Sequence, residues 1–109
     1  MREIQNTQEF KTIIEGNKPV LLDFYADWCG PCQTLLPIVE KLANEHETDF
    51  VIAKVNVDKN PELAQQFSVR SIPALFFIKD GEVKEHLNGL QTESALHAKI
   101  HEYSNAVSH

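Results

Sequence analysis

Val20-Leu21-Leu22-Asp23-Phe24-Tyr25-Ala26-Asp27-Trp28-Cys29-Gly30-Pro31-Cys32 is the stretch that decides how this chain folds. Its first seven residues, Val20 to Ala26, are apolar on both faces of an extended strand apart from Asp23. A central strand of a parallel sheet needs such a run, because helices cover that sheet on each side. Behind the two cysteines a long helix begins, with Leu35, Leu36, Val39, Leu42 and Ala43 as its inner stripe. Pro37 lies inside that helix and predicts a kink, since it cannot donate to the Gln33 carbonyl.

The flanking elements follow from local signals. Asn6 with Glu9 three residues on forms a capping box that opens a helix over about residues 7–16. Gly16-Asn17 stops it and Lys18-Pro19 leads into the central strand. A second strand spans 50–57, and Asn60 caps a short helix with Pro61 at its first position. A third strand, 74–78, turns at Asp80-Gly81 into an antiparallel strand around 82–87. The last helix, Thr92 to Tyr103, turns Leu96, Ile100 and Tyr103 inward. With a short strand near residues 3–5, the fold class is α/β: a mixed sheet of four to five strands between helical layers.

At 109 residues the chain is one domain, 1–109, burying roughly 65% of its unfolded surface. Hydrophobic residues make up 42% and charged residues 24%, which is globular rather than disordered composition. Ten basic residues against sixteen acidic ones leave a net charge of −6, which argues against nucleic acid and anionic membrane as partners. No apolar run is long enough to span a bilayer, and Met1 to Gln5 lacks signal-peptide architecture. The expectation is a soluble, cytoplasmic, monomeric protein.

The chain has two cysteines. As a staple, a loop closed by Cys29 and Cys32 would stabilise by only about 2 kcal/mol, against nearly 5 for a 100-residue loop. As a metal half-site the pair lacks further cysteines, and every histidine is far away in sequence. The spacing suits redox chemistry. Cys29 falls where the central strand's loop meets a helix N-terminus, whose free N–H groups stabilise a thiolate. Cys32, one turn in, can reach it; Cys29 reads as the nucleophile and Cys32 as the resolving thiol. Gly30 spares side-chain bulk there, and Pro31 suits the first turn.

Asp23 interrupts an apolar strand. It is either a hydrogen-bonded structural residue or a buried acid with a raised pKa that takes the Cys32 proton through a water. Lys54 alternates with Ile52 and Asn56 and either snorkels to solvent or tunes Asp23. Trp28 is a core residue or a half-exposed groove wall. Glu93, His97 and His101 recur every four residues, a metal-compatible spacing that here flanks the inward stripe and reads as a solvated face.

The chain resembles the thioredoxin family. The match rests on Trp28-Cys29-Gly30-Pro31-Cys32, Asp23, Lys54, Ile72-Pro73, Asp80-Gly81-Glu82 and Gly89, and it covers nearly the whole chain. The resemblance implies the thioredoxin fold and reduction of client-protein disulfides by dithiol–disulfide exchange through a Cys29–Cys32 disulfide. It also implies a cis bond before Pro73 and a substrate groove of Trp28, Gly30, Pro31, Ile72, Pro73 and Gly89, with Ile72 offering backbone hydrogen bonds. No bound cofactor is implied; thioredoxin reductase, using NADPH, would restore the dithiol. Tyr25, Gln33 and Ala74 depart from the common family pattern of Trp, a cation and Thr, which bears on partner choice. Two other readings are an oxidant or isomerase of an exported compartment and a redox-indifferent binding module. Pro31 in place of His speaks against the former.

Overall fold

The computed structural model describes residues 1–105; the last four residues of the expected 1–109 domain lie outside them. The elements are β1 (Arg2–Glu3), α1 (Thr7–Ile14), β2 (Val20–Tyr25), α2 (Gly30–Glu45), β3 (Val51–Asn56), α3 (Pro61–Gln66), β4 (Ala74–Lys79), β5 (Glu82–Asn88) and α4 (Glu93–Asn105). They form the expected α/β fold, a five-stranded sheet in the order β1-β3-β2-β4-β5. β1, β3 and β2 run parallel, while β4 is antiparallel to β2 and to β5.

Strand β2 is buried at every position, Asp23 included. Its even-numbered residues Val20, Leu22 and Phe24 join Phe10 and Ile13 of α1 and Leu63 of α3 in one core. On the other face Leu21 joins Leu35, Val39 and Leu42 of α2 and Leu96 and Ile100 of α4. Each face of the strand thus has its own apolar layer, which explains the unbroken hydrophobic run.

Capping explains most helix starts. The Asn6 side chain accepts from the Glu9 N–H at 2.9 Å and Glu9 accepts in return from the Gln5 N–H, one residue outside the strict reciprocal box. Thr92 precedes α4 rather than opening it, accepting the Ala95 N–H at 3.1 Å. Asn60 does precede α3, but its side chain makes no cap bond. Its amide instead donates to the carbonyls of Ile4 and Asn56, tying α3 to the end of β1. That long-range demand outweighs the local one. Helix α2 continues through Pro37 to Glu45. Leu36 is only partly buried and turns toward the cysteines, and Ala43 lies at the edge of the inner layer. At the hairpin Asp80 and Gly81 both have positive φ, 55° and 77°, as a two-residue I′ turn requires.

Phe24 is fully buried and meets Phe76 edge-on, with ring centroids 5.5 Å apart. Phe24→Ala is expected to cost about 3–5 kcal/mol through transfer and cavity terms. Val83→Ala, at a side chain 51% exposed, is expected to stay within about 0.5 kcal/mol. Urea denaturation of the two variants checks the contrast as a large and a negligible shift in midpoint.

Candidate active site

After β2 the chain passes to α2 on one face, and after β3 to α3 on the other. The crevice beyond the carboxyl ends of β2 and β3 is therefore a topological switch point, where open α/β sheets place ligands. Cys29 stands there as the N-cap of α2, with its Sγ accepting the Cys32 N–H at 3.2 Å. Cys29 and Cys32 are joined as a disulfide. They are not equally accessible: Cys29 is 6% exposed and Cys32 1%. The outer sulfur also receives the helix's N-terminal field, which favours negative charge.

The segment before β4 closes the crevice from the other side. The Ile72–Pro73 peptide bond is cis, and the Ile72 carbonyl oxygen lies 3.8 Å from the Cys29 Sγ. Gly89 follows β5 with φ 82° and donates its N–H to the Pro73 carbonyl at 2.8 Å. A Cβ on Gly89 would meet no atom within 4 Å, so the left-handed backbone, not crowding at that position, is what favours glycine there. A Cβ on Gly30 also meets nothing within 4 Å. The space that Gly30 leaves is on the outside of the site.

Trp28 is 71% exposed, more than a half-exposed wall, and its ring is held in place by a bond from Nε1 to Asp58 Oδ2 at 2.9 Å. Asp58 belongs to no motif in the sequence. Its only signal was position, just past β3 at the switch point. Trp28, Val57, Ala64, Val69, Arg70 and Ile72 surround a shallow pocket of about 170 Å³. A depression of about 390 Å³ between Phe10, Phe67 and Val83 is larger but holds no reactive group.

Asp23 lies on the same face of β2 as Leu21, of the α2 and α4 core, and Tyr25, which packs with both cysteines. Its two carboxyl oxygens are buried, and neither makes a hydrogen bond among the described residues. Burial pushes its pKa up from 3.8 to about 7, with the positive charge of Lys54 opposing the rise. Lys54 is its partner in register on β3. Glu93, by contrast, is bound to Lys41 of α2 at 2.7 Å, and the His97 ring packs against His46. No group of three metal-ligating side chains suited to an ion occurs among the described residues.

A paired cysteine couple, one member slightly exposed as the cap of a helix and the other fully buried one turn in, defines a thiol–disulfide oxidoreductase. Comparison with known proteins agrees. The family described as Thioredoxin matches residues 2–102. A thioredoxin of Chlorobaculum thiosulfatiphilum is 43% identical over 97 residues, 88% of this chain and 90% of that protein. A solved mutant thioredoxin from Halobacterium salinarum superposes with a TM-score of 0.87 at 46% identity, covering 94% of this chain and 89% of that one. A Mycobacterium leprae protein named bifunctional thioredoxin reductase/thioredoxin is 38% identical over 94 residues, 86% of this chain and 20% of its own length. The chain belongs to the thioredoxin family, and it is a protein-disulfide reductase with a redox-active Cys29–Cys32 disulfide.

The raised Asp23 pKa has a consequence for stability. The fold binds this proton more tightly than the unfolded chain does, so stability falls as pH rises between the two values, 3.8 and about 7. The gap corresponds to roughly 4 kcal/mol of lost stability, absent below pH ~4 and complete above pH ~7. Asp23→Ala removes the titration, so the variant is expected to be more stable than wild type at pH 8 and not at pH 4. Guanidinium denaturation of the oxidised proteins at both pH values checks it; an equal difference at the two would contradict it.

Proposed function

We propose that this protein is a general cytoplasmic reductant of client proteins, acting as a single-domain monomer. What carries the reading is the asymmetry of the two cysteines: Cys29 caps α2 and keeps a little exposure, while Cys32, one turn in, is fully buried. The Cys29 thiolate attacks a client disulfide, forming a Cys29–client disulfide and expelling the client's other sulfur as thiolate. Cys32 then loses its proton to Asp23 through a water, and its thiolate attacks Cys29. The Cys29–Cys32 bond forms, the second client sulfur leaves, and two electrons have passed to the client.

Asp23 suits this step because its pKa, near 7, lets it accept and release a proton at neutral pH. Lys54 is a positioning residue that keeps it from remaining protonated. The client segment lies extended across Trp28, Gly30, Pro31, Ile72, Pro73 and Gly89, hydrogen-bonded to the Ile72 backbone as an added strand. An NADPH-dependent thioredoxin reductase returns electrons to the disulfide; the Mycobacterium leprae relative, whose name joins the two proteins, supports that partnership. A reducing compartment suits a couple that must be found as dithiol. Among the described residues no helix is long and apolar enough to cross a membrane.

Cys29→Ser is expected to abolish insulin disulfide reduction, and Cys32→Ser to accumulate the mixed disulfide, visible by non-reducing electrophoresis. Full turnover by Cys29→Ser would overturn the assignment. Asp23→Ala is expected to slow decay of the mixed disulfide at neutral pH by about 10²-fold, the scale of a lost general base. Rapid-quench kinetics measure it, and an unchanged rate would leave Asp23 a structural residue.

A further inference from the structure

Three strands align a row of charge on the face that carries Asp23. Glu3 of β1 is in register with Lys54 of β3, and Lys54 with Asp23 of β2. Lys54 therefore stands between two carboxylates, a buried one and one at the sheet edge. Its four-carbon stem is flexible, and left to itself the ammonium would favour the wetter side.

Tyr25 meets both ends of that choice. It lies one pleat beyond Asp23 on the same face, is 4% exposed and packs with Cys29 and Cys32. The Lys54 Nζ lies 5.4 Å from the centroid of its ring, within the range of a cation–π contact. Burial, with the nearby Glu3 carboxylate, raises the pKa of its hydroxyl, so the ring carries no charge at neutral pH. The other charge acting on this ring is Asp27, in the loop after β2. From β4, Leu75 stands opposite Asp23 and brings no charge.

We infer that Tyr25 is a positioning residue of the exchange reaction: its ring, not its hydroxyl, holds the Lys54 ammonium toward Asp23 and away from Glu3 at the sheet edge. The inference rests on the proposed roles of Asp23 and Lys54. Removing the ring frees Lys54, weakens the positive charge felt at Asp23 and leaves that carboxyl protonated to a higher pH. Release of the client is then slower at pH 7 and catches up as pH rises.

The test is the Asp23 carboxyl titration, followed by carbon-13 NMR on the oxidised protein, with the pH profile of mixed-disulfide decay beside it. Tyr25→Leu and Lys54→Met are each expected to shift the titration toward protonation by about threefold in the equilibrium. The double variant is expected to shift no further than Lys54→Met alone, and Tyr25→Phe to restore the wild-type midpoint. If Lys54→Met moves Asp23 but Tyr25→Leu does not, or if Tyr25→Leu acts equally without Lys54, the inference fails and the proposed reaction stands. If Lys54→Met moves nothing, the proposed role of Lys54 fails and takes this one with it. The unmutated protein gives a separate check: the Lys54 ε-methylene protons are expected upfield, in the shielding cone of the ring, and ordinary lysine shifts there would overturn the inference even if Tyr25→Leu does not fold.

Discussion

Strand β2 is hydrogen-bonded to neighbours on both edges and covered by helices on both faces, so it has no freedom to shift. The chain leaves that rigid strand at Tyr25, and within four residues it has begun α2 with Cys29 as the cap. The position of the reactive sulfur is thereby set by the most constrained segment of the molecule rather than by a loop. A helix start leaves N–H groups without carbonyl partners, and here one of them is directed at the sulfur. The same local geometry that ends a strand and starts a helix also favours a thiolate.

Asp23 sets stability against the proposed proton transfer within that strand. An apolar residue in its place would suit the surrounding layers better, since burial of the carboxyl is the main cause of its displaced pKa. The fold tolerates the misfit because the two-layer core around β2 is large, and because Lys54 lies in register to offset part of it. A group strained toward neutrality near pH 7 is a competent proton acceptor at that pH, which an ordinary surface aspartate is not.

The groove proposed to receive the client is built from elements that are distant in sequence. Trp28 follows β2, Asp58 follows β3, Ile72 and Pro73 precede β4, and Gly89 follows β5. Two hydrogen bonds knit them: Trp28 to Asp58 and Gly89 to Pro73. An exposed indole fixed by its N–H offers a rigid apolar surface at little cost in conformational entropy, which suits contact with varied partners.

Local patterns in the sequence were enough to determine the element order, the buried character of Val20–Tyr25, the hairpin at Asp80-Gly81 and the placement of Cys29 and Cys32 at a helix start. Each depends on interactions spanning only a few residues: side-chain periodicity, turn conformation and caps. Asn60 shows where that reach ends, for its side chain serves Ile4, 56 residues away, instead of its own helix. The exposure of Trp28 and the involvement of Asp58 were likewise decided by which loops the sheet order brings together. So was the row from Glu3 through Lys54 to Asp23, which exists only because β1 and β2 flank β3 in register. Periodicity assigns a side chain to a face; only tertiary pairing decides which side chains share it, and the electrostatics of this site depend on that pairing.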